Sequence, residues 1–191
     1  TSAEHVLETL GKRIKKLQGE ETRHFYLIAE SDLNDPRVIR APEIGGYGMH
    51  AQWLDDFHHS VHALFTGEQQ GYYRDFGALG HLAKSFKHAY VVADDYSEHR
   101  KRRHGRPAIH ARGDQFLTFV QNHDQIGNRA RGDRLSSTLT ADQLKTAAAL
   151  LFVSPFVPML FQGEEWGAMT PFTYFTDHQD TTLADNVRDG R

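Results

Sequence analysis

The sequence predicts an α/β fold in which parallel strands alternate with helices, and three observations carry that prediction. Short, continuously apolar runs recur at residues 25–29, 116–120 and 157–161, as expected of strands covered on both faces. Segments with apolar residues at helical spacing lie between them. Each run ends in a burst of polar residues, and in parallel α/β folds the carboxyl ends of the strands share the rim where ligands bind.

The elements follow in chain order. Thr1-Ser2-Ala3-Glu4 reads as a capping box, and Val6, Leu7, Leu10, Ile14 and Leu17 continue at helical spacing, so an amphipathic helix is expected over residues 2–18. Phe25-Tyr26-Leu27-Ile28-Ala29 is the first strand. Trp53, Phe57, Val61, Leu64 and Phe65 form one stripe of a helix over 49–66, closed by Gly67. Phe76, Leu79, Leu82 and Phe86 do the same over 75–88, and Tyr90-Val91-Val92 reads as a short strand. Residues 97–115, with the basic run Arg100 to Arg103, read as a solvated loop. Phe116 to Val120 is the next strand. Thr140-Ala141-Asp142-Gln143 is a second capping box, opening a helix over 140–152, and Val157 to Phe161 is the last strand.

Composition narrows the function. The chain has 191 residues, 39% hydrophobic and 25% charged, which suits a soluble globular domain. It is short for a closed eight-stranded α/β barrel, which takes roughly 250 residues. A formal net charge of −3 gives no electrostatic case for nucleic acid or an anionic membrane as partner. There is no cysteine, so disulfides and thiolate metal sites are excluded. No apolar run approaches a membrane span and the amino terminus does not read as a signal peptide, which makes the cytoplasm the expected location.

Three polar clusters follow the three strands: Glu30-Ser31-Asp32-Leu33-Asn34, then Gln121-Asn122-His123-Asp124-Gln125, then Gln162-Gly163-Glu164-Glu165-Trp166. Paired carboxylates suit glycoside hydrolysis, where one donates a proton to the leaving oxygen while another stays ionised against developing positive charge. Glu30 directly follows an apolar strand, so partial desolvation is expected to raise its pKa and poise it as the acid. Asp124 sits among amide and imidazole donors, which favour its charged form. His123 is placed to donate to a sugar hydroxyl. The bland reading of any one such carboxylate is a helix cap.

These residues resemble the alpha-amylase superfamily, in the form of its maltooligosyltrehalose trehalohydrolases. Phe119 to Arg129 is similar to the seventh-strand motif and Leu27 to Pro36 to the fifth-strand motif bearing the general acid. The stretches 50–59, 162–167 and 171–178 resemble the same group, so the likeness covers the whole chain. It implies the second half, strands five to eight, of a TIM (β/α)8 barrel, with residues 1–191 forming one partial catalytic domain. It also implies a retaining hydrolase that cuts the α-1,4 bond beside a terminal trehalose of maltooligosyltrehalose. Glu30 matches the acid/base, Asp124 the transition-state stabiliser and His123 a sugar contact. Gln121, Asn122, Gln125, Asp55, Asp56, Trp53, Phe57 and Glu164 are further expected substrate contacts. On this likeness the helix over 49–66 begins later than periodicity suggests.

The family's nucleophile, an aspartate ending the fourth strand, has no counterpart here. The isolated chain is therefore expected not to turn over, and to dimerise or to need the amino-terminal half of the barrel. No cofactor or metal is expected. His58 and His62 are four apart on a helix, but no Glu follows His58 as in the zinc-protease pattern. The alternatives are a glycogen branching enzyme or amylase, and a non-catalytic half barrel that binds glucan or serves in assembly.

Overall fold

The computed structural model describes residues 4–190, so the capping box proposed at Thr1 lies outside the described residues. The elements are α1 (Val6–Glu20), β1 (Ile28–Ala29), β2 (Ala51–Trp53), α2 (Asp55–Thr66), α3 (Leu79–His88), β3 (Asp95–Ser97), β4 (Arg102–His104), β5 (Phe116–Phe119), α4 (His123–Gly127), α5 (Ala141–Val153), β6 (Val157–Met159) and α6 (Thr181–Asp189). No described helix is long and apolar enough to cross a membrane. Packing divides the chain into two compact units: one runs to Val120 and includes Thr146–Met159, the other comprises Gln121–Lys145 and the residues from Leu160 onward.

The first unit holds a four-stranded parallel sheet in the order β1-β2-β5-β6, with Ile28 opposite Ala51, Gln52 opposite Phe116 and Leu117 opposite Val157. Parallel strands alternating with helices are as expected. Periodicity places residues 51–53 at the start of a helix; they form strand β2, and the helix begins later, at Asp55, as the family likeness implies. Three residues are too few to show a period of their own beside the strong stripe of α2. Of that stripe Phe57 and Val61 are fully buried where α2 packs on β5, as are neighbouring Leu54 and β5 residue Phe119, while Leu64 and Phe65 are half-buried. Phe57 meets Phe86 and Phe156 at 5.8 and 6.5 Å between ring centroids. Each fully buried apolar side chain of this size contributes on the order of 2 kcal/mol.

Two strands are more open than their apolar runs suggested. β1 has only two residues, and Tyr26 and Ile28 are exposed, because β1 lies at one edge of the sheet. β6 lies at the other edge, where Val157 and Leu160 are exposed. Pro158, which has no N–H to give a further strand, sits there in register with Thr118.

Other boundaries also shift. α1 starts at Val6, capped by His5, whose Nδ1 accepts from the Leu7 N–H, and none of its residues is buried. α3 starts at Leu79, and Phe76 instead follows a short 3-10 turn, Gly71–Asp75. Residues 90–92 are not a strand. They form a buried bend whose Val91 and Val92 N–H groups both donate to Asp56 Oδ2, at 2.6 and 2.9 Å. The supposed solvated loop contains the antiparallel hairpin β3–β4, pairing Asp95 with His104.

The second unit packs Ile126, Leu135 and Leu139 inside. Its Thr140–Gln143 capping box forms as the sequence predicts: the Thr140 N–H donates to Gln143 Oε1 at 2.9 Å and the Gln143 N–H to Thr140 Oγ1 at 3.3 Å. Gly132 has φ +59°, and a Cβ there would meet the Phe172 carbonyl oxygen at 2.2 Å, so only glycine fits.

Candidate active site

In the first unit, Glu30 is the residue after β1, at the carboxyl edge of the sheet. Its side chain is exposed rather than partly desolvated, because the edge strand offers no cover. Two residues on, Asp32 Oδ2 accepts from Arg100 Nη2 at 2.6 Å, and the Asp32 carbonyl pairs with His104 Nε2 at 2.9 Å. Partial burial pushes the Asp32 carboxyl up, but the Arg100 guanidinium outweighs it and holds the group below the usual aspartate value. The hairpin thus anchors the segment that carries Glu30.

Trp53 ends β2 half-buried, its ring 5.3 Å from Phe119. Asp55 opens α2 and lines a polar hollow with Asp32, Tyr72, His99 and Arg100. The hollow measures about 20 Å³, room for about one water. Two expected sugar contacts are turned inward. Asp56 is buried, and its Oδ2 also accepts from Asn34 Nδ2 at 3.0 Å. Phe57 is fully buried. The α2 histidines face protein partners: His58 pairs with the Val120 carbonyl and, at 2.9 Å, the Tyr73 hydroxyl, and His62 with Glu68 at 2.8 Å.

In the second unit, α4 presents His123 and Asp124 at its amino end. Asn122 is the cap: its Oδ1 accepts from the Asp124 and Gln125 N–H groups at 2.8 and 3.3 Å, while Gln125 Oε1 accepts from the Asn122 N–H at 3.1 Å. Asn122 and Gln125, expected beside the sugar, build the turn that holds Asp124. His123 Nε2 is 3.8 Å from Asp124 Oδ1. Both side chains are half-buried. Tyr174, not singled out from the sequence, donates its hydroxyl to Asp124 Oδ1 at 2.8 Å; its only trace there was its place in the 171–178 stretch. Gln121 is buried, its Oε1 accepting from the Leu135 N–H at 3.2 Å. Burial pushes the Glu164 carboxyl up to about 7, against the pull of the Phe161 N–H, Gln121 and Arg134.

No family model matches the chain. It is 50% identical over 190 residues to a malto-oligosyltrehalose trehalohydrolase of Arthrobacter ramosus, covering 98% of this chain and 33% of that protein. It is 45% identical to one from Saccharolobus solfataricus, covering 100% of this chain and 33% of that protein. The crystal structure of an alpha-amylase-type protein from Salmonella typhimurium superposes with a TM-score of 0.84 at 37% identity, over 100% of this chain and 32% of that one. An Anoxybacillus alpha-amylase, 19% identical with a TM-score of 0.51, shares the fold. The chain spans about a third of the length of the curated relatives it matches. Parallel strands, alternating helices and these likenesses define it as part of an alpha-amylase-superfamily glycoside hydrolase barrel. Within that superfamily it belongs with the malto-oligosyltrehalose trehalohydrolases, seven of which match it at 37–50% identity.

Proposed function

We propose that this chain supplies the acid/base and the stabilising carboxylate of a retaining hydrolase that cuts the α-1,4 bond next to the terminal trehalose of maltooligosyltrehalose. Glu30 donates its proton to the glycosidic oxygen as that bond breaks, releasing trehalose. An aspartate from residues outside this sequence bonds the anomeric carbon. Glu30, now a carboxylate, then takes a proton from the water that displaces this aspartate and frees the maltooligosaccharide. Asp124 stays ionised against the oxocarbenium-like charge, and His123 donates to a hydroxyl of the same sugar. Trp53 and Asp55 meet the trehalose side.

The observation that carries this reading is the parallel sheet. β1 and β5 run the same way, so their carboxyl ends lie on one edge; Glu30 follows β1 directly, and β5 leads through Val120 into the segment bearing Asp124. On the same reading the 191-residue polypeptide needs the rest of a barrel as partner, and alone releases no trehalose.

The experiment is Glu30→Gln in the intact protein, assayed for trehalose release from maltooligosyltrehalose. Loss of the acid/base should lower kcat by about a thousandfold. A variant within a few fold of wild type would remove Glu30 from the role and the reading with it.

A further inference from the structure

Arg134 ties together the segment that delivers Tyr174 to Asp124. It caps the 3-10 turn Leu135–Ser137 and is buried. Its Nη1 donates to the Gln162 carbonyl at 2.7 Å and its Nε to the Thr170 carbonyl at 2.8 Å. One planar guanidinium thus closes the base of the loop between those two residues. Inside the loop, the Ala168 N–H donates to the Gly163 carbonyl at 2.8 Å. The guanidinium also lies over the Phe161 ring, 5.3 Å from its centroid, and Phe161 meets Phe172 edge-on at 5.1 Å. The Phe172 N–H donates to the Gly132 carbonyl at 2.9 Å, so residues 170–172 are pinned at two points to residues 132–134. Two residues on, Tyr174 gives its hydroxyl to Asp124 Oδ1 at 2.8 Å. Every contact in this chain lies within the second unit.

We propose that Arg134 is a positioning residue: by closing the 162–170 loop and fixing Thr170, it holds the Tyr174 hydroxyl on Asp124 without touching substrate. This rests on Asp124 acting as proposed above. The geometry calls for an arginine, because the two carbonyls take N–H groups from two different nitrogens of one rigid plane. A lysine ammonium is a single point donor on a flexible stem, and it reaches one carbonyl or the other. Freed at Thr170, the segment keeps its Phe172–Gly132 bond and stays docked, but the approach of Tyr174 to Asp124 is no longer fixed. The rival is a staple that serves stability alone. It would lower the unfolding free energy on substitution and leave kcat of the folded protein unchanged.

The test uses the intact protein and hydrolysis of maltooligosyltrehalose. Arg134→Lys should lower kcat several-fold, up to the roughly tenfold loss that removing the Tyr174 contact entails, with KM within twofold. The substitution should be silent where Tyr174 is already replaced: Arg134→Lys with Tyr174→Phe should turn over like Tyr174→Phe alone. A raised KM at unchanged kcat, a single variant like wild type, or losses that multiply in the double variant would each overturn the proposal. Where Arg134→Lys fails to fold, Arg134→Gln, which keeps a side-chain N–H donor without the charge, is judged by the same measurements. If neither folds, Arg134 is a folding residue and the proposal falls. Asp124→Asn separates the two readings. If it stays active, the proposed function fails; if it is inactive while the Arg134 outcomes go wrong, only the positioning role fails.

Discussion

The Tyr174 hydroxyl donates to Asp124 Oδ1 at 2.8 Å and in turn accepts from Asn128 Nδ2 at 3.3 Å. A hydrogen bond to a charged acceptor is worth about 1.5–3 kcal/mol, and this one holds a single rotamer of the carboxylate proposed to face the sugar. Tyr174→Phe in the intact protein should lower kcat by about tenfold, each 1.36 kcal/mol being one decade. The melting temperature should fall by a few degrees, with the fold retained. Unchanged kcat would show that Asp124 is oriented without the phenol.

Gly127 tests the same contact from the other side. A Cβ at this position would lie 2.6–2.9 Å from three atoms of the Tyr174 ring. A ring at the end of a side chain can swing aside, so Gly127→Ala should fold but drive the phenol off Asp124. Its kcat should match that of Tyr174→Phe, and the double variant should be no worse than either single, because both remove one interaction. Additive losses would separate the two effects.

Asp56 makes a prediction of a different kind. Its buried Oδ2 collects the Val91 N–H, the Val92 N–H and Asn34 Nδ2. Asp56→Ala strands three buried donors and should destabilise the protein by about 3 kcal/mol or more, read from urea unfolding. KM for the glucan should stay near wild type in whatever fraction folds. A raised KM with full stability would return Asp56 to the substrate.

Legibility followed the range of the interaction. The Thr140–Gln143 box was readable because both partners lie within one turn, and α2 because its stripe repeats. The apolar run at 25–29 announced a strand but not an edge, since hydropathy records what can be buried rather than what covers it. Glu30, His123 and Asp124 were marked by their residue types after apolar strands. Tyr174 was not, because its bond to Asp124 joins residues 50 apart in a stretch with no periodicity. Asp56, beside Asp55 at the start of α2, offered no sign that one carboxylate would turn inward to cap a bend at 91–92.

The α2 histidines give the protein an acid limit. Burial, then His59 and His62, hold the His58 imidazole well below its ordinary pKa. Burial, then His62 and Arg100, push His59 down to about 3. His59 Nδ1 is buried and finds no hydrogen-bond partner among the described residues. Both rings are therefore neutral when folded, yet take a proton in the unfolded chain below about pH 6.5. In the window from about 6.5 down to about 3 the unfolded state binds more protons, so stability is complete above 6.5 and falls as pH drops. Each histidine contributes a slope of about 1.4 kcal/mol per pH unit. His59→Phe places an apolar ring among Tyr72, Tyr73 and Phe76, whose centroids lie 4.9, 5.5 and 5.0 Å away. It should reduce the loss of unfolding free energy between pH 7.5 and 5.5 by about 1.4 kcal/mol. Urea titrations at the two pH values measure it, and a variant that loses as much as wild type would mean that His59 protonates freely in the fold.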